Sequence, residues 1–364
     1  MKSLISSVKS IFCKELPPGK YFILLCSLFA GICFLTALST FIIDPYVYFH
    51  KAWGLKQLWA KSYAMIPGLL RNEEYDTVLF GSSIAQNFLI SDLNTLYNGR
   101  SIKATSPGLP AEALSKYIEL ACRKKSFRHA VIAVDHFAFT KSPETSPRLQ
   151  YDYLYKKSIF PVRYLLSNDS VNSSFKMVRA NVKQLFSKKK VKDLDRDFMF
   201  GWYKKCSQAH FEAGIKEGIR KKSTPLAITA AAFENLEKYL FRHIKENPDI
   251  TFDLFFPPYH IYFWCAMKKE GKLEGYLRFR DHIIARATAF SNVRFHDFQA
   301  ETSIICHGEL YRDETHYSTE TNRKLIGMMK SKSHLAGEKE GSGNTRKIRD
   351  LIPRYMDGYL QLCR

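Results

Sequence analysis

Residues 77–83 read Thr-Val-Leu-Phe-Gly-Ser-Ser, and a helical pattern near 84–97 follows directly. Thr77–Phe80 is a short apolar run of the kind that forms a buried strand. A serine just past such a strand and just before a helix stands at the mouth of a parallel sheet, where α/β domains place ligands. Its backbone N–H then lies at a helix N-terminus, ready to stabilise an oxyanion. Gly81 lets the chain turn there without a side-chain clash.

The same alternation recurs along the chain. Further strand candidates are Ile102–Ala104, Ala130–Val134, Phe252–Phe256 and Val293–Phe295. Helical patterns lie near 110–125, 228–246 and 272–289. Pro110 with Ala111-Glu112 makes a good first turn, and Asn247-Pro248 ends the third helix. Five strands with intervening helices predict an α/β fold: a three-layer α/β/α domain with a parallel sheet, over 75–330. Residues 140–225 separate the third and fourth strands. That is too long for a simple loop, so a mostly helical insertion is expected.

A serine is a weak nucleophile alone. It needs a base within hydrogen-bond reach and a carboxylate to orient that base. Asp313-Glu314-Thr315-His316 supplies both, three residues apart, after the fifth strand. Ser82 competes with Ser83 as nucleophile. Asp135 and His136 follow the third strand, and Tyr259 and His260 follow the fourth, so all four are candidate pocket residues. Asp135 reads equally as a binder of loop N–H groups, and a lone His260 is more often structural, with the reserve role of base. His296 and Asp297 read as scaffold.

VLFGSSIAQNF (78–88) and DETHYS (313–318) resemble the first and last blocks of the SGNH (GDSL-type) hydrolase superfamily. The likeness is closer to its membrane-anchored acyltransferase branch, which includes the alginate O-acetylation proteins and the D-alanyl transfer protein of teichoic acid systems. It covers about 75–140 and 250–320, together with the anchor architecture. The resemblance implies an SGNH-like, flavodoxin-like fold. It implies Ser83 as nucleophile, His316 as general base and Asp313 as orienting carboxylate. It also implies an oxyanion hole from Ser83 and a glycine after the second strand, for which Gly108 matches better than Gly99. The superfamily's third block, Gly-x-Asn-Asp, is absent; AVDHFAF stands there, with no Asn donor. That departure bears on free esterase activity more than on the fold.

The N-terminus sets the location. Residues 21–43 are 23 uncharged positions. At about 1.5 Å per residue they match a hydrocarbon core of roughly 30 Å. A cleaved signal peptide is the alternative, with Ala37-Leu38-Ser39 as a weak cleavage site, but the apolar run continues past it. Lys2, Lys9, Lys14 and Lys20 precede the span, opposed by Glu15. The positive-inside rule then puts tail 1–20 in the cytoplasm and the domain on the periplasmic or extracellular side of the plasma (inner) membrane. Residues 44–74 read as a juxtamembrane connector with interfacial aromatics Tyr46, Tyr48, Phe49, Trp53 and Trp59.

The net charge of +20 favours anionic partners. Lys176, Arg179, Lys183, Lys188–Lys190, Lys192 and Arg220–Lys222 concentrate in the insertion. They form either a solvated face or a surface for anionic lipid or polysaccharide. An outward-facing domain does not meet nucleic acid. The eight cysteines make no metal or disulfide pattern. Residues 331–345 read as a flexible linker and 346–364 as an amphipathic segment.

The expected function is transfer or removal of an ester-linked acyl group, acetyl foremost, on a cell-surface polysaccharide, with no cofactor and no metal. The resemblance adds a multi-span membrane acyltransferase as partner. The alternative is a non-catalytic surface protein of the same fold that binds polysaccharide or an assembly complex.

Overall fold

A computed structural model describes residues 17–51, 53–59, 61–156, 158, 161–186, 206–221 and 226–363. The expected basic positions Lys188–Lys190, Lys192 and Lys222, and most of tail 1–20, lie outside these. The expected architecture is the one adopted: an α/β domain on a five-stranded, wholly parallel sheet in the order β2-β1-β3-β4-β5. The strands are β1 (Thr77–Gly81), β2 (Ser101–Thr105), β3 (His129–Ala133), β4 (Thr251–Phe256) and β5 (Val293–Asp297).

The helices that matter here are α1 (Pro18–Ile43), α2 (Ser62–Asn72), α3 (Ile90–Tyr97), α4 (Ala111–Cys122), α5 (Val162–Leu166) and α6 (Asn168–Leu185). They continue with α7 (Gln208–Arg220), α8 (Ala230–Leu236), α9 (Ile261–Lys269), α10 (Leu273–Thr288), α11 (Thr319–Ser331) and α12 (Glu338–Leu362).

The strand side chains alternate between two cores, as a sheet covered on both faces requires. Val78, Phe80, Ala104, Ile132, Leu254 and Phe295 pack under α2, α4 and α8. Leu79, Val131, Ala133 and Phe255 pack under α3, α9, α11 and α12. The strand order reverses between β1 and β3, and ligand sites of open α/β sheets form at that switch point.

Three expectations change. The helix expected over 84–97 splits into a 3-10 turn, Ser83–Ala85, and α3. The buried Lys103 ammonium on β2 takes the carbonyls of Gln86 (3.0 Å) and Phe88 (3.1 Å), which a continuous helix would use internally.

Residues 331–345 are not a free linker. Lys332 ends α11 in a left-handed conformation (φ 56°). Residues 334–336 then run back beside β5, through Asp297 N–H to His334 O (3.0 Å) and Ala336 N–H to Phe295 O (2.9 Å). From Glu338 the chain is already α12.

The third change concerns the connector. Tyr46 and Tyr48 are buried in the domain rather than placed at an interface. The Asp44 carboxylate accepts the N–H groups of Tyr48, Phe49 and His50 at 2.7–2.8 Å, which turns the chain back onto the domain.

Candidate active site

Ser83, His316 and Asp313 meet. Ser83 Oγ stands 2.8 Å from His316 Nε2. His316 Nδ1 stands 2.9 Å from both Asp313 carboxylate oxygens. His316 and Asp313 are 24% and 22% exposed, so the pair is sheltered yet reachable.

Local structure explains the Asp-x-x-His spacing. Asp313 Oδ1 accepts the N–H groups of Thr315 (3.0 Å) and His316 (2.9 Å), folding the segment into a tight turn. Arg312 N–H closes the loop on His316 O (2.8 Å), and Tyr311 pairs with Tyr317 beyond it. The carboxylate that shapes the turn therefore also faces Nδ1, leaving Nε2 for Ser83.

Burial alone would raise the Asp313 pKa. The facing imidazole and the two N–H bonds outweigh it and bring it down to about 2. Burial would lower the His316 pKa, but the Asp313 charge and hydrogen bond carry it above 6.5. Between these two residues in sequence, Glu314 is pushed up to about 7 by burial and then by the Asp313 charge.

On the serine side, Gly81 is needed for close approach rather than for its dihedral angles. A Cβ there would lie 2.6 Å from Ala85 Cβ and 3.0 Å from Ala133 Cβ. Ser82 does not compete for the histidine. Its hydroxyl donates to Asp135 Oδ2 (2.7 Å) and accepts from Ile84 N–H (3.4 Å). Asp135 also accepts from Tyr259 OH (2.8 Å) and Phe137 N–H (3.1 Å). The residue at the third-block position thus ties β1, β3 and β4 together under the serine turn. Ser106 N–H on Gly81 O (3.1 Å) brings the loop after β2 alongside. Gly108 lies in that loop at φ +59°, with its carbonyl accepting from Lys141 Nζ (2.7 Å).

Two candidate pocket residues do other work. His136 is fully buried among Phe256, Tyr259, Trp264, Tyr276 and Phe279, with no hydrogen-bond partner among the described residues for either ring nitrogen. Burial pushes its pKa down to about 3, so it is a neutral core residue. His260 caps α9: its Nδ1 accepts from Tyr262 N–H (3.1 Å), and its ring packs on Phe211 and Tyr311. Its backbone N–H also holds Glu314 O (2.9 Å), so it steadies the histidine loop. Burial pushes its pKa to about 3, which removes it as a reserve base near neutrality.

One contributor had no signal in the sequence. Helix α7, from the insertion, lies on the Asp313–His316 loop. Gly214 comes so close that a Cβ would meet Arg312 O at 2.2 Å. Together they line an open cleft of about 450 Å³, with His210, Glu217, Lys221, Arg312 and Glu314 beside His316. Among the described residues no group of histidine, cysteine and carboxylate side chains is arranged to hold a metal ion.

No family model and no curated protein matches this chain. Among solved structures, it is distantly similar to one described as "a putative platelet activating factor from Streptococcus pneumonia". The identity is 11%, the TM-score 0.38, and the match covers 75% of this chain and 90% of that one.

Proposed function

We propose that this chain is a membrane-anchored serine enzyme that moves an ester-linked acyl group, acetyl foremost, onto or off an extracytoplasmic polysaccharide. The observation that carries the reading is the continuous Ser83–His316–Asp313 relay, 2.8 and 2.9 Å long at its two links. The Ser83 oxygen attacks the acyl carbonyl carbon while its proton passes to His316 Nε2. The ester C–O bond breaks, and the departing alkoxide takes that proton. A sugar hydroxyl, or water, then attacks the acyl-serine, giving its proton to His316, which returns it to Ser83. Asp313 keeps the imidazole in the right tautomer and offsets its charge when protonated. The N–H groups of Ser83 and Gly108 serve as oxyanion donors.

An apolar helix long enough to cross a bilayer supports anchoring, since α1 spans 26 residues and its most apolar 18-residue stretch buries none of its side chains in the domain. The resemblance to membrane-anchored acyltransferases favours transfer over hydrolysis, with a multi-span partner that delivers the acyl group. The rival reading, a binding protein without catalysis, draws on Asp135, a carboxylate where that family has an amide donor.

A fluorophosphonate probe on the detergent-solubilised full chain separates the two. Wild type and Ser82→Ala should label and Ser83→Ala should not. An unlabelled, folded wild type would sink the enzyme reading.

A further inference from the structure

The insertion touches both ends of the molecule's business. Helix α7 lies on the histidine loop, whereas α5 and α6 pack against α1. On α1 the shielded positions Cys33, Thr36, Ala37 and Thr40 form one stripe at helical spacing, and the rest of that stretch is largely bare. Tyr164 of α5 donates to Asp44, which caps α1, and Tyr46 OH lies 3.2 Å from Ser173 Oγ of α6. From Cys33 to Thr40 the helix rises about 10 Å. The insertion helices therefore overlap the last turns of the span instead of beginning beyond its end.

The outer side of these helices is unusual for a water-facing surface. Phe175 is 69% exposed, Leu185 81% and Phe186 87%, and Val162, Leu166 and Val182 are exposed beside them. Phe175 and Val182 share one face of α6 at a spacing of seven, and Phe186 follows four residues on as its C-cap. Lys176, Arg179 and Lys183 interleave with them, all exposed. At the C-terminal end of α1, the exposed Trp53 stacks on His50 and meets Phe41 edge-on, an aromatic cluster of the kind found at bilayer boundaries. Apolar rings with interleaved cations, held level with the end of a span, match the chemistry of a lipid interface: chains for the rings, phosphates for the cations.

We infer that α5 and α6 form a collar seated in the domain-side leaflet of the bilayer, taking anionic phospholipid headgroups. The inference rests on the reading of α1 as a span, and it fixes the domain against the membrane instead of leaving it on a flexible stalk.

The test uses the full chain reconstituted in vesicles of chain-brominated phosphatidylcholine, with and without phosphatidylglycerol. Phe175→Trp and Leu185→Trp are read as difference emission against wild type, which already holds four tryptophans. Both positions are exposed, so neither replacement disturbs the core. The expected result is blue-shifted emission, quenched by the brominated chains and more strongly when phosphatidylglycerol is present. Unquenched, water-like emission overturns the collar. Blue-shifted but unquenched emission means that a second copy of the protein covers the face, and also overturns it. Equal quenching with and without phosphatidylglycerol removes the anionic preference. Phe29→Trp, on the bare face of α1, is the control. If it too escapes quenching, the span reading has failed. If it alone is quenched, only the collar has.

Discussion

His316 is held between opposing influences: burial favours the neutral ring, and Asp313 favours the charged one and prevails. A general base must be neutral, so Ser83 should react poorly at acid pH and improve as pH rises through a midpoint above 6.5. The rate of fluorophosphonate labelling, followed from roughly pH 5 upward, checks this. Asp313→Asn removes the charge and leaves the burial, so the midpoint should move to lower pH. The plateau should fall by about 10⁴-fold as the tautomer is lost. A limb that stays in place would mean Asp313 does not govern the imidazole. Asp135 answers to a different measurement. Asp135→Ala leaves the buried hydroxyls of Ser82 and Tyr259 without their acceptor, at a cost of about 1–3 kcal/mol. Asp135→Asn keeps one acceptor oxygen and should lose less, which thermal melts of the two variants resolve. The serine, the histidine and the aspartate were legible in the sequence because each is fixed by a short local pattern. The fates of His136 and His260 were not. Nothing in AVDHFAF or FFPPYH says which way a ring turns from the strand end, and in both cases it turns away from Ser83 into aromatic packing or a helix cap.

At the scale of elements, β1 and β3 were legible because central strands buried on both faces leave short, nearly unbroken apolar runs. By contrast β2 and β5 at the sheet edges, with Lys103, Arg294 and His296 interleaved, were legible from their place in the strand–helix alternation. The place of α7 was hidden. Its sequence, QAHFEAGIKEGIR, reads as an ordinary solvated helix, and only the fold reveals that Gly214 is the point where it meets the histidine loop. A helix-interior glycine normally gains stability on replacement by alanine. Here Gly214→Ala should instead push the loop, because its Cβ cannot share space with Arg312 O. Displacement of His316 by about 1 Å would lower Ser83 labelling by about 10²-fold. The melting temperature should fall less than for a clash inside the sheet, since Phe211 and Ile215 are the only α7 side chains buried in the second core. Gly81→Ala is the contrasting case. It crowds Ala85 and Ala133 in the centre of the sheet, so stability should drop by about 1–3 kcal/mol together with labelling. A Gly214→Ala protein that labels normally would show that α7 does not position the site.

For the molecule as a whole, the largest departure from the sequence reading is the C-terminal stretch 331–364, and its cause is electrostatic. SKSHLAGEKEGSGNT has the composition of a linker, and nothing in it announces a partner. The partner is the completely buried Arg280 of α10. Its guanidinium meets the Asp297 carboxylate at the end of β5, and also Thr345 Oγ1 and Gly341 O (3.0 Å) on α12. Asn344 donates to the same Asp297 oxygen (2.7 Å). Gly341 lets α12 lie close on α10, since a Cβ there would stand 2.8 Å from Ile284 Cδ1 and force that side chain to shift. One ion pair thus joins helix, sheet edge and C-terminal helix, and Ile348, Ile352 and Tyr359 of α12 bury behind it. Such a pair adds little over an apolar replacement, yet breaking it leaves the buried guanidinium with the part-exposed Asp281 carboxylate (3.3 Å) as its counter-charge. Asp297→Ala should therefore destabilise the whole chain by about 3–5 kcal/mol. Replacing Arg280 and Asp297 together with apolar residues of similar size should recover most of that loss. Denaturant melts of the solubilised full chain, with Ser83 labelling as a parallel probe of the native site, test both. If Asp297→Ala melts like wild type, the buried pair does not hold the C-terminal helix to the sheet. If the double variant is no better than the single one, the loss comes from Asp297's other bonds rather than from the arginine left behind.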